Sequence, residues 1–446
     1  NLTLGTRFFH RFGSRSKLAL DFFTIKEQRD GGNKQDLPLH ERDVAEAVKH
    51  DLKTGAVTYE QFFRQYDIFS IYASGQFLNR NSYYGANQSL SGYGISKDKT
   101  YNIGAQYKAI LGNLTLIAGV ENIGDFLTDK KLGYPDYENA VIVNDSIVEV
   151  PHTENTTVAD QSSIISGVFT QCDVKLEKVK IAVGGRFDHY EVKDLAKDGG
   201  EPKKGNVFSP RISLMYEIFK ELQARVSYSQ GYRAPQIFDE DLHIETSSSR
   251  QVINVNDPGL KQEKSYSMLA SLDFNGLIGT VYTGLLVEGF YTRLEDPFVN
   301  EIGIPDENGT VIYTRRNAQD GATVKGINME FKLKPLKALS FTSGFTVQSS
   351  KYDVAQEFDE KRFFRTPGQY GFFAVDLDFA GDICFSATGN YTGSMLVPYF
   401  GTETDPEIGE LRKSDDFFDL GLKLNYTIKL NGANLQCFGG IKNIFN

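Results

Sequence analysis

The sequence predicts an all-β chain, an antiparallel β-barrel that spans a membrane. Three observations carry this: side-chain character alternates with period two along almost the whole chain, the alternating runs are long enough to cross a bilayer, and short and long connections follow one another in strict order. In 101–109, Tyr101, Ile103, Ala105, Tyr107 and Ala109 share one face and Asn102, Gly104, Gln106 and Lys108 the other. In 327–334, Ile327, Met329, Phe331 and Leu333 oppose Asn328, Glu330, Lys332 and Lys334. In 416–429, Phe418, Leu420, Leu422, Leu424, Tyr426 and Ile428 oppose a set that includes Asp419, Lys423, Asn425 and Lys429. Such period-two sorting belongs to strands, and period 3.6 is almost absent.

Taken in order, the strands are expected at 2–10, 15–27, 43–60, 67–79, 101–111, 113–127, 161–173, 177–190, 207–219, 222–231, 264–275, 279–293, 322–334, 338–350, 369–380, 381–392, 416–429 and 434–445. Soluble sandwich strands average about five or six residues. Runs of about nine to eleven are needed to cross a bilayer at a tilt of about 45°. Tyr and Phe at the strand ends then supply interfacial girdles. Short turns such as Gly112-Asn113, Lys220-Glu221, Asn275-Gly276-Leu277-Ile278 and Asn431-Gly432-Ala433 follow the odd-numbered strands. Long polar loops, 28–42, 80–100, 128–160, 191–206, 232–263, 294–321, 351–368 and 393–415, follow the even ones. One rim of short turns and one of long loops is the geometry of outer-membrane barrels. A propeller would repeat itself at about 40 residues, and no such repeat is present.

Composition narrows the function. Lys and Arg total 48 against 58 Asp and Glu, a net charge of −10, which argues against a nucleic-acid partner. No apolar run is long enough for a transmembrane helix, while a barrel escapes that test because its polar and apolar residues alternate. Cys172, Cys384 and Cys437 are too scattered for a disulfide framework or metal knuckle and read as small buried hydrophobes. No nucleophile elbow, phosphate loop or His-Glu-x-x-His helix appears, so an enzyme is not expected.

The chain opens on Asn1-Leu-Thr-Leu, already strand-like, as a processed or incomplete N-terminus would. If the short turns are periplasmic, the first strand runs down and the eighteenth runs up. Barrels of this kind begin and end in the periplasm, so an odd number of strands is expected to be missing at each end.

The segment Gly231-Tyr232-Arg233-Ala234-Pro235-Gln236-Ile237-Phe238-Asp239-Glu240-Asp241-Leu242-His243 precedes Pro258-Gly259-Leu260-Lys261-Gln262-Glu263-Lys264-Ser265. Together these resemble the barrels of TonB-dependent outer-membrane receptors. Asn317-Ala318 with Thr323, Gly326 and Glu330, and Gly440-Ile441-Lys442-Asn443-Ile444-Phe445-Asn446, are similar to two later signatures of that family. Within it the chain looks closest to the colicin I, vitamin B12 and haem receptor branch. The resemblance implies a transmembrane antiparallel β-barrel of about 22 strands, of which about 18 are present over 1–446. It implies one strand absent after the last motif and about three before the first, and an N-terminal plug domain not present in this chain.

The function so implied is active import, across the bacterial outer membrane, of a scarce nutrient: a ferric siderophore or other iron complex first, cobalamin or haem second. No cofactor is required, since the chelate is the substrate. The partners implied are a TonB energising complex acting through the plug, the plug itself, outer-membrane lipid and, for some receptors, a surface lipoprotein lid. A passive porin and a surface-binding adhesin or glycan-capture protein are the competing readings.

Candidate ligand contacts follow from the loops. Tyr232 and Arg233 stand at the exit of a strand over the mouth; Arg233 reads either as a ligand contact or as a partner for acids on the plug or neighbouring strands. His243 reads as a haem ligand, because haem receptors of the family place a histidine between these motifs and imidazole is a natural axial ligand, or as a hydrogen-bonding loop residue. Asp239, Glu240 and Asp241 read as solvated acids or as a calcium site of carboxylate oxygens. Tyr83, Tyr84, Tyr399 and Phe400 offer stacking surfaces to a bulky chelate or pack loops and girdle. His10, His40, His50, His152 and His189 lack metal spacing and carry no functional reading.

Overall fold

The computed structural model describes residues 1–64, 66–86, 88, 92–143, 146–153, 155–196, 201–236, 252–304, 311–379, 382–399 and 409–445. Its strands are β1 (Leu2–Arg11), β2 (Ser16–Gly32), β3 (Val44–Phe63), β4 (Asp67–Ala86), β5 (Tyr93–Leu111), β6 (Leu114–Lys131), β7 (Val141–Val143), β8 (Ser146–Glu149), β9 (Thr156–Leu176), β10 (Val179–Asp194), β11 (Lys203–Phe219) and β12 (Leu222–Arg233). They continue as β13 (Val252–Asn256), β14 (Glu263–Ile278), β15 (Val281–Glu295), β16 (Phe298–Ile302), β17 (Val311–Asn317), β18 (Ala322–Leu336), β19 (Leu339–Tyr352), β20 (Gln369–Phe379), β21 (Ile383–Thr392), β22 (Leu396–Tyr399), β23 (Glu410–Lys413), β24 (Phe417–Leu430) and β25 (Ala433–Ile441).

Eighteen of these form one antiparallel sheet, each pairing with the next wall strand in the chain. They are the eighteen expected from the alternation, in the expected order. The remaining strands lie in the connections on the long-loop side: β13 runs parallel to β17, β16 pairs antiparallel with β17, and β7–β8 and β22–β23 are small hairpins.

The wall sorts by face as the alternation requires. Ile71, Ala105, Val120, Val168, Phe187 and Phe208 stand opposite one another across β4, β5, β6, β9, β10 and β11. Val120, Val168 and Phe208 of this row are 53%, 52% and 61% exposed. One residue along, Tyr72, Gly104, Glu121, Gly167, Asp188 and Val207 form the adjoining row on the opposite face. An apolar row about half open to the surroundings beside a polar one is stable when lipid bathes the first and water the second. Gly167 is required in its row, because a Cβ there would collide with the carboxylate of Asp188 and the guanidinium of Arg186.

Three expectations are corrected. The strands on the long-loop side outrun the alternation: β4 ends at Ala86 rather than 79 and β5 begins at Tyr93 rather than 101, so the loop expected over 80–100 shrinks to 87–92. Above the bilayer both faces meet water or loops, and hydrophobic alternation no longer marks a strand. β25 ends at Ile441 rather than 445, and Asn443 takes a φ of 56°, which Asn adopts more readily than most residues. The cysteines are not buried: Cys437 is exposed and the other two are half-buried, because in a thin wall neither face is a closed core; Cys172 stands in the apolar row opposite Leu116 and Val183, and Cys384 on the polar face opposite Asp378 and Asn425. Among the described residues β1 pairs only with β2 and β25 only with β24, so the sheet has two open edges, both exposed along their length.

Candidate functional site

The mouth on the long-loop side is where the flagged segments meet. At the end of β12, Tyr232 stacks on Tyr190 with ring centroids 5.9 Å apart. Ala234 is buried beside Val192 and Val207, and Pro235 is fully buried; proline there ends ladder donation without leaving an unmet N–H. Arg233, opposite Glu263 in the ladder, lies 6.0 Å from the ring of Phe298, and Arg315 of β17 lies 5.8 Å from the same ring. The Nη1 of Arg315 donates to the carbonyl of Gln236 at 3.3 Å.

The second and third segments join at Asn317. Its Oδ1 accepts from the Lys261 amide at 2.8 Å, and its Nδ2 donates to the carbonyls of Lys261 and Asp296 at 3.1 and 2.7 Å. Asp257 closes the Pro258-Gly259 turn by accepting from the Gly259 amide at 2.6 Å, and Lys203 Nζ donates to the carbonyls of Asp257 and Leu260. Glu263 accepts from the Phe298 amide at 3.0 Å. These contacts root the β13–β17–β16 sheet, and β13 packs against β9 of the wall. The loops after β12 and β15 thus fold together as a cap seated on the wall.

Below the cap, the polar face carries a chain of charge-assisted bonds. Arg186 bridges Glu121 and Asp188 at 2.7 Å each, while Tyr72 and Asn102 each donate to Glu121 at 3.1 Å. Nearer the rim, buried Arg80 donates to Ser96 at 2.9 Å, and Ser96 donates to Asp129 at 2.5 Å. Burial holds the Lys131 ammonium below its ordinary range, with Asp129 opposing.

Tyr83 and Tyr84, consecutive on β4, lie on opposite faces. Tyr83 is 1% exposed and packs edge-on against Tyr93, centroids 4.6 Å apart. The Tyr93 ring lies tilted against His152, centroids 4.8 Å apart, and its hydroxyl meets His40 Nδ1 at 2.9 Å, while Tyr137 reaches His40 Nε2 at 3.4 Å. Burial, with the Tyr137 and Tyr83 hydroxyls nearby, pushes Tyr93 up to about 12. Two of the five histidines that carry no functional reading in the sequence, His40 and His152, are therefore the centre of a cluster joining the loops 33–43 and 132–155 to β4 and β5. Nothing in their spacing could have revealed it, since the three segments are distant in the chain. Tyr84 is half-buried, its amide donating to the Gly92 carbonyl at 3.0 Å. Tyr399 lies at the end of β22 under the guanidinium of Arg412, 3.5 Å from its ring centroid.

His243, Asp239, Glu240, Asp241 and Phe400 lie outside the described residues. Tyr232 and Arg233 share the root of the cap, whereas Tyr83, Tyr84 and Tyr399 belong to other loops. No group of three or more His, Cys, Asp or Glu side chains is placed to hold a metal ion among the described residues.

Comparison with known proteins follows this geometry. The family model described as "TonB dependent receptor-like, beta-barrel" matches residues 4–444. Among solved structures, the FrpB iron transporter from Neisseria meningitidis (F5-1 variant) superposes with a TM-score of 0.71 at 12% identity, over 100% of this chain and 68% of that one. The ferric-catecholate import receptor Fiu from E. coli K12 gives 0.67 at 13% identity, over 99% and 70%. The ferripyoverdine receptor of the Pseudomonas aeruginosa outer membrane gives 0.70 at 12%, over 99% and 60%. At such identities the likeness is one of fold, and this chain spans between 60% and 70% of those three proteins. No curated protein matches the sequence.

Proposed function

The chain belongs to the TonB-dependent receptor β-barrel family, and from that premise we propose that it forms the barrel of an outer-membrane active transporter for a scarce metal chelate, a ferric siderophore or other iron complex. The observation that carries the reading is the family match over 4–444. Support for the cargo comes from the similar structures, which include an iron transporter, a ferric-catecholate receptor, the siderophore receptors PirA and PiuA from Acinetobacter baumannii, and the copper transporter OprC. Cobalamin and haem are the alternatives within the same mechanism.

On this reading the short turns face the periplasm and the cap faces outward. The charged inner wall receives a plug domain lying outside these residues, through which a TonB complex supplies energy. Unpaired strand edges are not tolerated in hydrocarbon, so the open edges of β1 and β25 are met by further strands of a barrel of about 22. Tyr232 and Arg233 hold the cap over the path, and Tyr84, Tyr399, Phe400 and His243 are the loop residues offered to cargo. Calcium at Asp239, Glu240 and Asp241 and a lipoprotein lid are subsidiary parts of the proposal.

The test is uptake of radio-iron by cells carrying the full-length protein, supplied with chelate extracted from the native organism. Uptake is expected to cease when the energising complex is deleted. Uptake that continues without it would make the protein a passive pore. Mass spectrometry of small molecules co-purifying with the native protein separates siderophore, corrin and porphyrin.

A further inference from the structure

On the polar face of β9 to β12, toward the short turns, the wall sinks into a recess of about 230 Å³. Ala182, with only a methyl group, and Gly184, with no side chain, leave room for the depression, and Lys180, Arg211 and Arg225 stand around it. The register places them together: Gly184 faces Arg211, Ala182 faces Ser213, Lys180 faces Met215, and Met215 in turn faces Arg225. Lys175, opposite Lys180, adds a fourth cation on this face.

The nearby acids do not neutralise them. Asp173 lines the recess and accepts from Gln171 at 2.9 Å, and Asp273 accepts from Gln223 at 2.8 Å. Glu217 faces Gln223 beside the turn. Among the described residues Lys180, Arg211 and Arg225 make no ion pair, and the Arg225 guanidinium donates a hydrogen bond to the sulfur of Met215 at 4.0 Å. This differs from the wall just above, where Arg186 is bridged by two carboxylates. A chain of net charge −10 has acids to spare, so three convergent cations left without them on a concave surface form a site for an anion. Guanidinium forks match carboxylates in particular, accepting them in a two-pronged geometry.

We infer that this recess is a carboxylate-binding site on the lumen wall. It rests on the transporter reading for the identity of the lumen, and its ligand comes from one of two sources: an acidic side chain of a protein segment seated in the lumen, or the carboxylate of a solute passing through it. Lys180 and Lys175 supply field, and Arg211 and Arg225 supply the directed hydrogen bonds.

The experiment uses the full-length protein purified in detergent, with citrate as the probe. If solute reaches the site, calorimetry shows citrate binding that Arg211→Gln and Arg225→Gln each weaken by about tenfold, that Arg211→Lys and Arg225→Lys partly retain, and that high salt diminishes. If the protein's own acid occupies it, citrate does not bind, and an experimental structure of the full-length protein shows a carboxylate within hydrogen-bond reach of Arg211 or Arg225. Citrate binding that survives the double variant overturns the inference, as does the absence of both citrate binding and a carboxylate neighbour. Heat-modifiable migration on gels confirms that each variant has folded. Failure here with energy-dependent uptake intact removes only the site; uptake independent of the energising complex removes the function and leaves the site's own result standing.

Discussion

Tyr83 and Tyr84 show how much one residue of register decides. Both are aromatic, both sit in a polar stretch, and only the pleat of β4 sends one under Tyr93 and the other to the opposite face. The Tyr93 hydroxyl is the keystone of that cluster. Its pKa is pushed up to about 12, mainly by burial, against an ordinary value of about 10. The folded state therefore favours the neutral phenol. The contribution is complete below pH 10, where the unfolded chain also holds its proton, and is lost as pH rises from about 10 through about 12. Tyr93→Phe removes the bond to His40, at a cost of about 1 kcal/mol. Thermal unfolding is expected to show a lower midpoint for the variant at pH 9, and a smaller drop between pH 9 and 12 than in the parent. Equal drops in both proteins would mean that Tyr93 does not govern this alkaline step.

At the scale of elements, the cap is built from segments far apart in the chain, and Asn317 is the residue that ties them. Its amide is satisfied on three sides, by Lys261 twice and Asp296 once. Asn317→Ala strips these bonds and is expected to cost about 1–2 kcal/mol, borne by the cap rather than by the wall, whose strands are held by their own ladders. Limited proteolysis should cut faster within 252–262 and 296–304 while detergent-resistant wall fragments persist unchanged. Simultaneous loss of the wall would show that cap and wall unfold as one unit. The segments that carry the family resemblance thus have structural roles: that Pro235 fixes the exit of a strand follows already from its missing N–H, and β12 does end at Arg233, whereas only the fold shows that Asp257 closes a turn and that Asn317 joins two loops. The alternation placed all eighteen wall strands because one of their faces is apolar by necessity. It missed β13, β16 and β17, which are short, lie among loops and present no lipid-facing side to enforce a pattern.

For the whole molecule, the two faces of the wall should respond oppositely to charge. Val120 and Gln106 sit on neighbouring strands at adjoining levels, one on the apolar face and one on the polar face. Val120→Arg is expected to destabilise the folded barrel by about 2–4 kcal/mol if it lies near the bilayer centre, and Gln106→Arg by much less. Urea unfolding in lipid vesicles measures both, and equal effects would refute the assignment of faces. The sequence by itself determined the class of fold, the number and order of wall strands, which side chains face lipid and which rim carries the loops, because a period-two pattern and the bilayer's thickness leave no other arrangement. Tertiary structure alone decided that the loops after β12 and β15 fold into a cap, that His40 and His152 gather with three tyrosines, and that Lys180, Arg211 and Arg225 converge on one recess. Those groupings depend on register between strands and on contacts between segments distant in the chain, neither of which is written in local alternation.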